Sequence, residues 1–343
     1  MVLKNHGVSL VALALLLPLG GCGVTYLSQA TSGQLAVMRA REPIDEVIAR
    51  PDTSATLREQ LLRAKRIRDF AIQELGLPDN ASYRSYADIH RPYVVWNVVA
   101  TPELSVEPKQ WCFPVAGCVA YRGYFSETDA REFAARLKAE GNDVTVGGVP
   151  AYSTLGRIAD PVLSTVTGYG ELDLAALLFH ELAHQVVYVP GDSGFNEAYA
   201  TTVEEAGVAR YAAVQGNAAA LAAWQERRRL RQQITGHFSA TRASLSSLFA
   251  GRSSEAEKRA GKAALLAKLS AEVRAIEQKA GRTTGYGSWI DAGLNNAHLA
   301  LVATYYERVP QFEALLRESC GGYMPCFHVQ VAALAAARKE QKK

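Results

Sequence analysis

Cysteine, methionine and tryptophan are sparse: five, three and four in 343 residues. So few cysteines exclude a disulfide-dense miniprotein. Net charge of one sign is nearly missing too, since 37 Lys and Arg against 34 Asp and Glu leave +3. That weak field argues against a dedicated nucleic-acid binder. No internal repeat is visible, and after residue 21 no stretch is apolar enough to span a bilayer. What is present is ordinary: 48% hydrophobic and 21% charged residues, the usage of a globular chain and not of a disordered or collagen-like one. At ~150 residues per domain, the length allows two domains or one large one.

The first segment reads as an address. Lys4 precedes an apolar run, Val8 to Leu19, too short to cross a membrane. Leu19-Gly20-Gly21-Cys22 then resembles a bacterial lipobox, in which the cysteine is acylated and the signal removed. The alternative is a plain export signal followed by a chance cysteine. The lipobox implies a signal peptide over 1–21, a lipid-anchored linker over 22–33 and a body over 34–343 tethered to the membrane through Cys22. Gly23 stands where an inner-membrane retention signal would place Asp, which points to the outer membrane, facing the periplasm. Four cysteines remain, Cys112, Cys118, Cys320 and Cys326. In an exported chain they suit two disulfides, and local closure, 112 with 118 and 320 with 326, is the simpler of three connectivities. A zinc site is the alternative for the first pair, but residues 111–118 have no His nearby.

Along the body, apolar spacing predicts helix over 34–76, broken at Pro43 and Pro51. Tyr93–Val99 and Val119–Phe125 are β-branched and aromatic and read as strands. Ser126 starts a helix to Glu140, with Asp129 three residues on. Asp143–Val146 is a short strand before Gly147-Gly148. Residues 171–189, 195–215, 217–249, 254–280, 287–306 and 327–341 read as helices, the third and fourth forming an antiparallel hairpin across residues 251–254. The fold class is therefore α+β: a small mixed sheet in 34–160, then a mostly helical part over 161–343. The run Arg227-Arg228-Arg229 with Arg231 reads as a solvated helix face.

His180-Glu181-Leu182-Ala183-His184 carries the chemistry. It lies within an apolar segment of helical character, so the two His share a face and can reach one metal ion. Zinc suits imidazole ligands and leaves a position open for water, whose pKa it lowers to ~7. Glu181 is then placed as the base. A third ligand comes from the next helix, where Glu197, Thr201 and Glu204 share a face.

His180-Glu181-Leu182-Ala183-His184-Gln185 followed by Asn196-Glu197-Ala198-Tyr199-Ala200 and Glu204 resembles the gluzincin aminopeptidases. That resemblance implies a gluzincin-like helical domain holding one zinc ion. It makes Glu197 the third ligand and Glu204 a partner for a ligating His. Twelve residues separate His184 from Glu197, fewer than is usual in that family. Nineteen precede Glu204, so spacing alone would choose Glu204. The Asn-Glu context assigns Glu197, since loops between helices shorten easily. The whole chain is also similar to bacterial lipoproteins described as predicted aminopeptidases, on the lipobox, Trp111–Phe125, the two metal helices and Asn295-Asn296-Ala297. No Gly-x-Met-Glu-Asn segment for holding a free amine is present.

Other residues are expected on looser grounds. Tyr305, Tyr306 and His298 are candidates for the donor that stabilises the tetrahedral intermediate, with Tyr305 preferred. Arg122 and Tyr124 could meet a substrate carboxylate or carbonyl, or serve packing. Asp143–Tyr152 could offer a strand edge to substrate. His90, His237 and His328 are structural. The expectation is a zinc peptidase of the cell envelope, an aminopeptidase by resemblance. Its partners would be a peptide substrate and the membrane, without nucleic acid or an obligate protein partner. An endopeptidase or cell-wall peptidase on the same site, or a non-catalytic zinc-binding envelope lipoprotein, are the alternatives.

Overall fold

A computed structural model of the chain describes residues 23–113, 117–306 and 308–341. Cys22 lies outside them. The chain is mostly helical with short strands, an α+β arrangement. Its first half runs α1 (Gly23–Arg39), β1 (Arg41–Pro43), α2 (Ile44–Ala49), α3 (Ala55–Leu75), β2 (Ser85–Ala87) and β3 (Val95–Pro102). Then come β4 (Trp111–Phe113), β5 (Gly117–Val119), β6 (Arg122–Tyr124), α4 (Glu127–Ala139), β7 (Asn142–Val149) and β8 (Val162–Leu163). The stretch expected to be a linker is helical from Gly23 onward.

The expected single sheet is three small ones. β3 is the centre of an antiparallel sheet between β6 and β7. Trp96, Val98, Ala100, Tyr124 and Val144 bury one face against Ala130, Ala134 and Leu137 of α4. As expected, Ser126 caps α4 by accepting from the Asp129 amide, satisfying a donor that has no helical partner. Gly147 and Gly148 do not end β7. They pair with Asn97 and Trp96, so the ladder carries the strand through both. The mixed sheet is β1–β2–β8, where β2 runs antiparallel to β1 and parallel to β8. β4 and β5 form a hairpin with Cys112 opposite Cys118, and these two are disulfide-bonded.

The second half runs α5 (Ser164–Thr167), α6 (Glu171–Val186), α7 (Ser193–Val214), α8 (Ala218–Ala250) and α9 (Glu255–Ala280). It ends with α10 (Gly285–Ala292), α11 (Asn296–Tyr306), α12 (Val309–Ala314), a π-helical turn (Leu315–Ser319) and α13 (Met324–Gln341). The helix expected over 287–306 is two. Gly293 adopts φ +92° between them, a conformation open mainly to glycine, and the Asn295 side chain then accepts from the Ala297 amide at 3.0 Å. A second disulfide, Cys320–Cys326, ties the end of the π-helical turn to α13. Both pairings are the local ones.

One core serves both halves of the body. Leu61, Ile67 and Phe70 of α3 pack with Phe179 of α6, Tyr199 and Tyr211 of α7 and Phe327 of α13. Each such fully buried side chain contributes ~1.5–3 kcal/mol. Gly207 lets α7 approach: a Cβ there would lie 2.8 Å from both Leu75 and Phe179. The hairpin α8–α9 has a core of its own, with Ile234, Phe238, Leu269 and Val273 against Leu299 and Val302 of α11. Ser254 and Glu257 form a capping box at the start of α9, satisfying two orphan donors. None of the described helices is long and apolar enough to cross a membrane.

Candidate metal centre

α6 is apolar because it lies in the core. Leu174, Leu178, Phe179, Leu182 and Ala183 are buried, and packing them fixes the helix's rotation. His180 and His184, one turn apart, then face the same side. Glu171 and Asp173 in the first turn suit the positive end of the helix dipole. The helix stops at Val186, three residues earlier than its apolar pattern suggests, because Val187 is extended.

The short return to α7 is built by two side chains. Asn196, fully buried, accepts from the Val189 amide at 2.8 Å and donates to the Val189 carbonyl at 2.9 Å. Asp192 caps α7 by accepting from the Phe195 amide, and is held in turn by Arg308 and Arg338 at 3.0 and 2.8 Å. The asparagine before Glu197 thus closes the loop that presents Glu197. α7 packs beside α6 so that His180 meets both Glu197 and Glu204, and His184 lies near Glu197 alone of the two.

The three ligand atoms offered by His180, His184 and Glu197 lie within 4.8 Å of one another. His180 Nε2 is 3.2 Å from Glu197 Oε2 and 3.2 Å from His184 Nε2. His184 Nε2 is 3.8 Å from the second Glu197 oxygen. Glu204 does not join this set. Its Oε2 is 3.1 Å from the other His180 nitrogen, Nδ1, and its Oε1 is 3.0 Å from Arg228 Nη1. Arg228 also pairs with Glu205 and lies over the Trp224 ring at 5.2 Å. A chain of contacts therefore runs from α8 through Glu204 to His180.

Burial and charge separate the groups. Burial, the largest influence on His180, opposes its charge. Glu197 and Glu204 on its two nitrogens outweigh that and raise its pKa well above the ordinary value. His184 lacks such a pair of partners, and burial lowers it to about 4. Burial pushes Glu197 and Glu204 up, but the two histidines beside Glu197, and His180 with Arg228 beside Glu204, outweigh it and both end lowered. Glu181 is pushed up to about 7, chiefly by burial, with His180 acting against the shift. It can therefore hold or release a proton near neutrality.

The donor set fits a zinc ion. Zinc–ligand distances of ~2.0–2.2 Å in a tetrahedron put ligand atoms ~3.3 Å apart, close to the two 3.2 Å separations here. Two imidazole nitrogens facing each other at that distance share one proton at most unless charged, and a cation between them removes the conflict. His184 Nδ1 is buried and has no hydrogen-bond partner among the described residues.

The cluster opens into a cleft of ≈ 1210 Å³. Its lining includes Val95, Asn97 and Gly123 of the β6–β3–β7 sheet, residues 149–153 after β7, and the inner face of α1. Gln29 pins α1 to β6, accepting from the Phe125 amide at 3.1 Å and donating to the Gly123 carbonyl at 3.4 Å. Arg227, Arg228 and Arg231 also line the cleft. Arg227, Arg229 and Arg231 are exposed, as expected of a solvated face, while Arg227 and Arg231 also border the cleft and Arg228 is half-buried against Glu204 and Glu205 of α7. Arg229 pairs along the helix, with Glu226 at 3.4 Å.

The side chains of Tyr305 and Tyr306 lie outside the described residues. His298 is buried, 3.0 Å from Thr145 Oγ1, and does not line the cleft. Arg122 stacks over Tyr26 at 4.0 Å and Phe133 at 4.7 Å, while Tyr124 is core. His328 is structural, 2.7 Å from the Tyr199 hydroxyl. His237 pairs with Glu272 across the hairpin at 3.0 Å. Exposed His90 lies 3.3 Å from Asp88. Tyr121 and Tyr188 do line the cleft. Burial raises the pKa of both, and Glu197 adds to it. Tyr121 had a signal in the chain, within the stretch Trp111–Phe125; Tyr188 had none beyond following the motif.

No curated protein and no solved structure matches the chain significantly. A family model described as "Putative aminopeptidase" matches residues 25–343. That span holds both metal helices and nearly the whole chain, and the protein belongs to that family.

Proposed function

We propose that the protein is a zinc-dependent peptidase, an aminopeptidase of the cell envelope tethered through a lipid on Cys22. The observation that carries the reading is the convergence of His180, His184 and Glu197 in an open cleft, with Glu181 on the same helix. His180, His184 and Glu197 would hold the ion. When bound, zinc supplies Lewis acidity, polarising a carbonyl and making water a competent nucleophile near neutral pH.

The chain's own residues do the rest. Glu181 takes the proton of the attacking water and returns it to the leaving amine. Glu204 accepts from His180 Nδ1, which turns the Nε2 lone pair toward the site. Arg228 holds Glu204 in place. Tyr121 or Tyr188, which line the cleft, or the expected Tyr305 supplies the hydroxyl that meets the developing oxyanion. The peptide lies along residues 149–153, since β7 is an outer strand of its sheet and these residues line the cleft. Bound-peptide hydrogen bonds mapped to other backbone would remove that part.

The test is digestion of a library of free and N-acetylated peptides, read by mass spectrometry beside zinc content per chain. Wild-type cleavage with one zinc, lost in Glu181→Gln, supports the reading. Loss of single N-terminal residues from free peptides alone supports the aminopeptidase form, and internal cuts would replace it with an endopeptidase. Zinc-loaded protein that cleaves nothing would overturn catalysis and favour a binding lipoprotein.

A further inference from the structure

Among the described residues, no cleft-lining residue from α1 through Tyr169 is charged. Much of this side is apolar without being core. Leu27, Leu35 and Met38 of α1 line it, as do Leu155 and Ile158 of the loop between β7 and β8. None of these five joins the hydrophobic clusters of the described residues. Leu27 and Leu35 are exposed. Apolar side chains gathered in a concave site, outside every cluster, gain free energy when an apolar group covers them.

Leu155 is set apart from the other four by its backbone. Its φ is +59°, in the left-handed region where a Cβ crowds the following carbonyl. Tyr83 and His90 are the other described non-glycine residues with positive φ. Tyr83 belongs to the core, and His90 is exposed and outside the cleft. Leu155 is thus the one of the three that faces the site.

The loop holds this conformation at several points. The Leu155 amide donates to Ser153 Oγ at 3.0 Å, and the Thr154 amide to Oδ2 of buried Asp160 at 3.0 Å. Thr154 Oγ1 donates to the Ile158 carbonyl at 2.7 Å. Asp160 is fastened in turn. Its amide donates to Ser82 Oγ at 3.3 Å, and its carbonyl accepts from the Tyr83 amide at 2.6 Å. Ser82 Oγ also accepts from Gln185 Nε2 at 3.3 Å, and Gln185 Oε1 accepts from the Asn80 side chain at 2.7 Å. Gly156 lies against the same glutamine, where a Cβ would be 3.2 Å from Oε1. Gln185 follows His184 on α6, so the loop that carries Leu155 is tied to the metal helix beside the site.

A strained backbone persists only where its surroundings over-determine it. Glycine would adopt this φ without strain, and no core cluster uses the Leu155 side chain. We propose that Leu155 is a specificity residue, held in the cleft to grip an apolar side chain of the substrate beside the bond that is cut, with the apolar residues of α1 completing the subsite. The proposal rests on the peptidase reading.

The experiment uses the full zinc-loaded chain in detergent. Its substrates are an alanine hexapeptide with one Leu walked through each position, and the same series with Asn, which is close to Leu in shape but polar. Mass spectrometry locates the cut. The ratio of kcat/KM for Leu over Asn is measured for wild type, Leu155→Gly, Leu155→Ser and Leu155→Met, beside zinc per chain and Tm. In wild type, one position beside the cut bond should favour Leu about tenfold, ~1.4 kcal/mol. Leu155→Met should keep that ratio, while Leu155→Gly and Leu155→Ser bring it near one with zinc retained. Leu155→Gly should melt at or above wild type, since it relieves strain and removes no core contact. A Leu155→Gly protein that melts below wild type would make the side chain a packing element and overturn the proposal. Cleavage without a Leu preference in wild type, or a preference untouched by Leu155→Gly, also overturns it and leaves the peptidase reading standing. If nothing is cleaved, the peptidase reading falls. The subsite is then judged by calorimetric titration of the same peptides into wild type and Leu155→Gly. A Leu preference lost in the variant supports it, and equal binding overturns it.

Discussion

The two sides of the cleft differ in kind. Among the described residues, α6, α7 and α8 carry every charged group that lines it, while α1 and the β6–β3–β7 sheet contribute none. Burying a charge is costly unless it is paired and hydrogen-bonded. The helical side meets that cost with a continuous chain: His180 to Glu197 and Glu204, Glu204 to Arg228, Arg228 to Glu205. Each member fixes the next. The sheet side has no such chain and sets shape alone. On the proposed function, the helical side would hold the chemistry and the uncharged side would decide what fits.

The largest effects should come from the helical side. Glu197→Ala should remove the proposed third ligand, abolish stoichiometric zinc and with it all turnover. Glu181→Gln should keep the zinc and lose ~10²–10⁴ in kcat. Glu204→Ala should weaken zinc affinity or activity by ~10–100-fold, as the loss of a group that orients a ligand does. Zinc per chain, measured by mass spectrometry on the three proteins, checks this order. A Glu204→Ala protein that has lost its zinc beside a Glu197→Ala protein that keeps it would exchange the two roles.

Short-range features were legible in the chain. His180 and His184 share a face because four residues are one turn, whatever the rest of the fold does. Ser126 and the local disulfides likewise depend on neighbours in sequence. The choice between Glu197 and Glu204 was only half legible. Spacing favoured Glu204, and the reason Glu197 reaches the site is the Asn196 clamp, which shortens the loop. What depended on distant packing was not legible. β8 is two residues long and is a strand only because β2 lies beside it. That Arg227, Arg228 and Arg231 border the cleft depends on how α8 crosses α6 and α7, which no periodicity on α8 encodes.

Histidines sharpen the comparison, because His298 is buried against the sheet without the carboxylates that surround His180. Its pKa is lowered to about 4, chiefly by burial. A lowered histidine stays neutral in the folded state while the unfolded chain takes up a proton below about 6.5. Stability should fall as pH drops from 6.5 to 4, by ~1.4 kcal/mol per unit and about 3 kcal/mol in all from this group. Above 6.5 it contributes no slope. Denaturant unfolding in EDTA, comparing wild type with His298→Gln, should show a shallower acid slope in the variant. Identical slopes would mean that His298 titrates normally.

The smallest effect is expected on the uncharged side. α1 is held to β6 by the Gln29 side chain, which occupies the Gly123 carbonyl and the Phe125 amide. A hydrogen bond of this kind is worth ~0.5–1.5 kcal/mol net. Gln29→Ala should therefore loosen α1 by a few-fold to tenfold in its open population without unfolding the body, whose core lies under α3, α6 and α7. Amide exchange in residues 27–38 should accelerate by that factor, and KM should rise while kcat holds, since no group that touches the reacting bond has moved. A fall in kcat equal to the rise in KM would break the division between the two sides, for it would mean that α1 also positions the chemistry.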